Sequence, residues 1–260
     1  MSNTYWQDRD AEAQAKITER SVKQTEKLLA DSYRSSAKKV IEEFEATYEK
    51  LLNTIEDGKT PTPADLYKLD KYWTMNNKLN FELRKLGEAQ ERILTKQFLI
   101  EFAEIYEAIQ FNHTEAFSTI SREGMLQSIN SIWCADGLTW SNRIWNNIEN
   151  LTETLQEQLT HSVVTGKKTS ELKKLLQERF DVSFSAADSL VRTEMAHIQT
   201  SAAQQRYKDY GITEVQVWAD KDERRCEICG KLHQKKYLVN EAMPIPAHPR
   251  CRCTIIPVVE

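Results

Sequence analysis

No stretch of this 260-residue chain approaches the roughly 20 apolar residues that a membrane-spanning helix needs, and its mean hydropathy of −0.61 points the same way. The segment from Met1 to Arg9 has no apolar signal core, so the expectation is synthesis in the cytosol with no membrane partner. The formal charge of −4 provides no overall basic surface, which excludes a general nucleic-acid coat. Glycine is scarce at seven residues. Proline is absent between 64 and 243, because all six prolines lie at Pro61, Pro63, Pro244, Pro246, Pro249 and Pro257. That distribution predicts a chain dominated by helices over the proline-free stretch. Signatures of nucleophilic and hydrolytic enzymes are also missing: there is no Gly-x-Ser-x-Gly and no His-Glu-x-x-His. Gly166-Lys167 lacks the upstream glycine and strand context of a phosphate loop.

What is present is helical periodicity. Val22, Leu28, Leu29, Tyr33, Val40, Ile41, Phe44, Tyr48, Leu51, Leu52 and Ile55 recur at threes and fours, predicting one long charged helix over 8–57 that buries a single stripe. Asp57 to Pro63 breaks it, with Thr62 placed to cap the next helix and Pro63 at its first position. Further helices follow from Leu66 to Leu86 and from Ile93 to Ile109, with Gly87, Gly124 and Gly137 as expected bends. Trp133, Trp140 and Trp145 read as core packing between helices. Two helices are expected after Gly166, over 170–180 and 185–210, with Gly211 terminating the second. The period then changes to two. Val215 to Ala219, Lys236 to Val239 and Cys253 to Val258 read as strands.

Four of the five cysteines fall between positions 226 and 253, while Cys134 stands alone. A chain of this size needs no disulfide staples to build a core, so the cluster favours metal ligation. Cys226-x-x-Cys229-Gly230 is a knuckle that lets two thiolates face one tetrahedral Zn²⁺. Eighteen residues later comes His248-Pro-x-Cys251-x-Cys253. Two thiolates, an imidazole and a third thiolate close such a site in the structural manner. Cys251 and Cys253 share a side of an extended strand, so either or both reach the metal and the fourth ligand stays open. His233 is a further candidate, and the alternative is a set of reduced, unliganded core cysteines. Arg192 and Glu194 lie in the predicted 185–210 helix and are read as an ion pair or helix-end contact. Glu194 and His197 have the i, i+3 spacing of a di-metal carboxylate site, but the other half of that set is missing. Asp220, Asp222 and Arg224 read as solvated loop charges, in a tail with eight Lys/Arg against five Asp/Glu over 221–260.

An ordered series carries a family resemblance: Gly166-Lys-Lys-Thr-Ser-Glu-Leu, then Ser185-x-Ala-x-x-Leu-x-Arg192-Thr-Glu194, then Trp218 through Cys226-x-x-Cys229-x-x-Leu232, then His248-Pro-x-Cys251-Arg-Cys253. The region 140–260 thereby resembles the phage head morphogenesis, or minor head protein, family typified by the F protein of phage Mu. Tyr5-Trp6-x-x-Arg9 and the long helix after it are similar to versions from phages of Gram-positive bacteria. Gln234 stands where relatives commonly carry glycine. The resemblance implies a minor capsid protein of the virion that meets portal protein and other capsid components and assists DNA packaging or ejection. Phage DNA and a second copy of the chain are further candidate partners. It also implies metal-site positions at Cys226, Cys229, His248, Cys251 and Cys253, with Arg192 and Glu194 in a structural helix motif.

The fold expected is mainly α, with extended N-terminal helices and a small C-terminal α+β zinc-binding module. The expected divisions are a charged helical segment over 1–60, a helical domain over 61–165 and a minor head protein domain over 166–260, with its zinc module at about 213–260. The expected cofactor is structural Zn²⁺ and the expected role is not enzymatic. Two rivals remain: a metal-dependent enzyme, either a toxin-like transferase or a nuclease using Asp220, Asp222 and His248, and a duplex-DNA binder with steep salt dependence.

Overall fold

The computed structural model describes residues 5–53, 61–110, 119–219 and 225–258. It is mainly helical, with one three-stranded sheet near the C-terminus. Helix α1 spans Tyr5–Leu52 without interruption. Its buried stripe of Val22, Leu29, Tyr33, Ala37, Val40, Phe44, Tyr48 and Leu51 repeats at threes, fours and sevens, as one face of a 3.6-residue period must. The expected break from Asp57 to Thr60 lies outside the described residues. Beyond it, Thr62 caps the short helix α2 (Pro63–Leu66): its Oγ1 accepts from the Asp65 N–H at 3.3 Å, and Asp65 Oδ2 accepts from the Thr62 N–H at 3.1 Å.

Helix α3 (Asp70–Ala108) runs straight through Gly87, where the sequence suggested a bend. The glycine serves packing instead. A Cβ there would lie 2.6 Å from Cζ3 of Trp145, so only hydrogen lets the indole seat against the helix. Helices α4 (Arg122–Ile129) and α5 (Trp140–Val164) follow, and Gly137, at φ +71°, occupies the left-handed region in the turn between them. Helix α6 is continuous over Thr169–Asp209, in place of the two helices expected there. Residues 181–184 contain no glycine or proline, so nothing in the backbone stops the helix. Gly211, at φ +72°, follows its end, and the Ile212 N–H closes onto the Tyr207 carbonyl at 3.0 Å.

Two compact units can be distinguished. One comprises Lys27–Ile93 and Ser141–Ala187. Its core gathers Tyr33, Phe44 and Tyr48 of α1, Met75, Leu79 and Leu83 of α3, Leu155 and Leu159 of α5, and Leu176 and Phe180 of α6. Each such burial is worth about 1.5–3 kcal/mol before entropy is counted. Two tyrosines tie its helices by polar bonds. Tyr48 donates to the carbonyls of Ser162 (2.8 Å) and Lys167 (3.0 Å), and the Tyr33 hydroxyl lies 3.1 Å from Ser183 Oγ and accepts from Asn147 at 3.1 Å.

The other unit comprises Met1–Glu26, Leu94–Trp140 and Asp188–Glu260, and contains the sheet. Strands β1 (Glu214–Trp218), β2 (Lys236–Leu238) and β3 (Thr254–Pro257) pair antiparallel in the order β2-β1-β3. Val217 faces Ile255 and Trp218 faces Thr254 across the β1–β3 ladder. Ala11 of α1 packs with Trp218 and Ile256, and Asp8 accepts from the Trp218 indole N–H at 3.2 Å. The beginning of the chain therefore covers the sheet at its end. Trp140 meets Phe98 edge-on at 5.4 Å and Trp133 stacks on His197 at 4.6 Å, so the three tryptophans serve separate packing partners.

Candidate metal centre

The single-turn helix α7 (Glu227–Leu232) begins at the first knuckle. Cys226 is its N-cap, and the sulfur accepts from the Cys229 N–H at 3.3 Å. Capping thus turns both side chains of Cys226-x-x-Cys229 to one side of the chain. The second pair is built by another turn. The Cys251 N–H reaches the His248 carbonyl at 3.2 Å, with Arg250 between them in the left-handed region at φ +61°. The two turns face each other. His248 Nε2 lies 3.2 Å from Cys226 Sγ and 3.1 Å from Cys229 Sγ, and Cys229 Sγ lies 3.7 Å from Cys251 Sγ. Cys229, Cys251 and Cys253 form a second group whose sulfurs lie within 4.8 Å of one another. All five positions singled out in the sequence are thereby gathered around Cys229.

The spacing can be compared with zinc geometry. Ligand bonds of about 2.3 Å to sulfur and 2.0–2.1 Å to nitrogen, arranged as a tetrahedron, imply edges of about 3.8 Å between sulfurs and about 3.6 Å between sulfur and nitrogen. The sulfur pair matches this edge, and the imidazole contacts are a few tenths shorter. The histidine tautomer also fits. Its Nδ1 is 2.8 Å from the Pro249 carbonyl, which can only accept, so Nδ1 carries the hydrogen and Nε2 presents its lone pair to the sulfurs.

Protonation within the cluster is uneven. The backbone N–H of Cys229 lowers the Cys226 thiol, whereas burial pushes Cys229 up. A hydrogen bond from Cys253 pulls Cys251 down, and the same bond drives Cys253 up, with burial adding to it. The Pro249 carbonyl, joined by the nearby thiolates, raises His248. Four sulfurs in so small a volume cannot all ionise against one another. A divalent cation is the group whose charge would let Cys229 join Cys226 and Cys251 as thiolates.

Arg250 fastens the second turn to α6. Its N–H donates to Thr193 Oγ1 at 3.0 Å and its guanidinium to Asp188 at 2.7 Å. Arg192 pairs with Glu26 and, at 3.4 Å, with Asp188. Glu26 is lifted to about 7, first by burial and then by Asp188, against the opposing charges of Arg192 and Arg250. Glu194 is buried and accepts from the Trp133 indole N–H at 3.0 Å. Burial holds the stacked His197 down at about 4, so it is neutral at ordinary pH. The sequence shows Thr193 only as the middle of a motif and does not reveal Asp188 and Glu26 as partners of Arg192, or Trp133 as the partner of Glu194. Their signal was weak, because a polar residue on a charged helix looks solvated until the facing loop is known. His233 stands apart from the cluster: it caps the end of α7, accepts from the Ala219 N–H at 3.2 Å and lies against Trp218. Asp220, Asp222 and Arg224 lie outside the described residues. Among the described residues, no helix is long and apolar enough to cross a membrane.

Residues 153–256 match the family model described as Phage Mu protein F like protein. No curated protein and no solved structure matches the chain. The matched stretch begins within α5, takes in the whole of α6 and ends in β3, so it contains every residue of the cysteine and histidine cluster. Over residues 153–256 the chain is thus similar to the Phage Mu protein F like family, the family that its ordered motifs resemble.

Proposed function

We propose that this protein is a minor head protein of a phage virion, acting in head morphogenesis at the portal vertex and assisting DNA packaging or ejection. The observation that carries this reading is the Phage Mu F-like match over 153–256, which enters the helical scaffold and encloses the cysteine and histidine cluster. In this reading residues 166–260 are the minor head protein domain. Its module, from about 213 onward, is closed by a structural zinc ion held by Cys226, Cys229, His248 and one of Cys251 and Cys253. A zinc ion there would supply cross-linking charge, holding two turns that share little apolar surface. A site with four protein ligands leaves no position for a substrate water, which suits a docking element better than a hydrolase. The partners in this reading are portal protein and other capsid components.

The test is genetic and biochemical. Particles of a phage encoding the protein should contain it at low copy. Tagged protein should co-purify with portal protein, and a null mutant should assemble defective heads. Normal infectious heads in the null mutant, or absence of the protein from purified particles, would overturn the assignment. Metal-dependent cleavage of DNA by the pure protein, lost in His248→Ala while folding is kept, would replace it with the nuclease reading. Metal analysis of protein purified under reducing conditions should give one zinc per chain.

A further inference from the structure

We infer that Cys251, rather than Cys253, completes the metal centre, and that Cys253 stands behind it as an outer neighbour of the ligand sulfurs. This rests on the reading of the cluster as a zinc site and goes beyond it by dividing two cysteines that spacing alone leaves equivalent.

The donors come in pairs set by two turns. Cys226 and Cys229 are three residues apart and are drawn together by the capping bond from the Cys229 N–H to the Cys226 sulfur. His248 and Cys251 are also three residues apart and are drawn together by the bond from the Cys251 N–H to the His248 carbonyl. Arg250 tightens this second turn by taking a left-handed conformation that non-glycine residues rarely adopt. Two turns of equal span thus supply a pair of donors each, and the pairs meet at Cys229, which lies 3.1 Å from His248 Nε2 and 3.7 Å from Cys251 Sγ; two such pairs make up the four donors of a tetrahedral ion. Cys253 belongs to neither turn. It lies beyond the second one, immediately before β3, where Thr254 pairs with Trp218 and fixes the backbone to the sheet.

Cys229 touches His248 on one side and Cys251 on the other, at 3.1 and 3.7 Å. The 3.7 Å separation is the sulfur-to-sulfur edge of a zinc tetrahedron, about 3.8 Å. Cys253 joins the cluster through Cys229 and Cys251, the three sulfurs lying within 4.8 Å of one another. Only 3% of it is exposed, so it is buried against those sulfurs. A side chain so placed holds the ligand sulfurs in position, the part that outer partners of metal ligands commonly play.

The experiment compares full-length wild type with Cys251→Ser, Cys251→His, Cys253→Ser and Cys253→His under reducing conditions. Bound zinc is counted by mass spectrometry of the native protein, zinc affinity is measured by competition with a chromophoric chelator, and Co²⁺ substitution reports the thiolates by their charge-transfer absorption. Wild type should bind one ion with three thiolates. Cys253→Ser should keep one ion and the same three-thiolate spectrum, with affinity lowered by about tenfold. Cys251→Ser should lose binding, whereas Cys251→His should regain it with the spectrum of two thiolates. That rescue separates a lost ligand from a lost fold. Retention of the three-thiolate spectrum in Cys251→Ser, or a two-thiolate spectrum in Cys253→His, would overturn the assignment. Equal loss in both serine variants, with rescue by histidine at neither position, would do the same. A wild-type protein that binds no metal would instead sink the zinc reading itself, a different and separately visible failure.

Discussion

Gln14 offers the sharpest test of how the start of the chain holds the sheet near its end. It is a polar residue on a charged helix, yet only 1% of it is exposed. Its amide orientation is fixed by its partners. The Thr254 hydroxyl donates to Oε1 at 2.6 Å, while Nε2 donates to the Tyr207 hydroxyl at 3.1 Å and toward the Ile255 carbonyl at 3.4 Å. Tyr207 in turn donates to Asp10 at 2.9 Å, so it keeps an acceptor whatever happens to Gln14. Thr254 does not, because its alternative, the Ile255 carbonyl, is 3.5 Å away. Gln14→Leu therefore removes two good hydrogen bonds, at about 1 kcal/mol each, and strands one buried hydroxyl, at about 1–3 kcal/mol. The expected loss is about 3–5 kcal/mol, with no cavity cost to add because leucine keeps most of the volume. Urea unfolding should show a lower midpoint with an unchanged slope. Thr254→Val should recover part of the loss in the double variant, because two apolar partners leave no orphan, giving a coupling of about 1–2 kcal/mol. A cost for Gln14→Leu below about 0.5 kcal/mol, or strict additivity, would refute the reasoning.

Other perturbations read different parts of the molecule. Gly87→Ala gains about 1 kcal/mol of helix propensity, but its Cβ would sit 2.6 Å from the Trp145 ring. Overpacking of about 1–3 kcal/mol should win, and the melting temperature should fall; a rise would show that the indole moves at no cost. Tyr48→Phe deletes the hydroxyl shared by the Ser162 and Lys167 carbonyls and should cost about 1–2 kcal/mol in urea, with no effect on metal content. Glu26 holds its proton up to about 7 in the folded protein, against a usual value of 4.5. The folded state thus binds more protons than the unfolded state between those values, and stability falls as pH rises through that window. Glu26→Gln should flatten that part of the profile, and a wild-type minus variant difference that stays constant from pH 4.5 to 7 would contradict it.

Much of the fold is legible because its signals are local. Proline placement marks off the helical stretch, the period-two runs predict all three strands, and Thr62 with Pro63 announces the start of α2. Misread features depend on partners distant in sequence. Gly87 looks like a bend until Trp145, 58 positions on, is seen to occupy the space its missing side chain leaves. The continuity of α6 has no positive signal beyond the absence of a breaker. Gln14 looks solvated because nothing near it reveals that Thr254 and Tyr207 cover it. The cluster divides in the same way. Cys226, Cys229 and His248 are legible from spacing, since each turn is a local event. The anchoring of Arg250 by Asp188 and Thr193 is not, because it joins a loop to a helix about 60 residues earlier.

That anchor bears on whether the cysteine and histidine module is preformed. Between Arg225 and Cys253 the regular structure is one turn of helix and a three-residue strand, and the fully buried apolar side chains are few, chiefly Val239 and Ile245. So small a core contributes little by itself, and in the zinc reading most of the order of the His248–Cys251 turn arrives with the ion. Contacts that form only when the turn forms then add to the apparent metal affinity. Thr193→Val removes the acceptor of the Arg250 N–H while leaving the cysteines, the histidine and the Arg250–Asp188 pair in place. One hydrogen bond of about 1 kcal/mol should weaken zinc binding by about fivefold. Chelator competition measures that factor directly. Unchanged affinity in a variant that has demonstrably lost the Arg250 contact would mean that the turn is ordered before the ion arrives. The helices, rather than the metal, would then be what shapes the module.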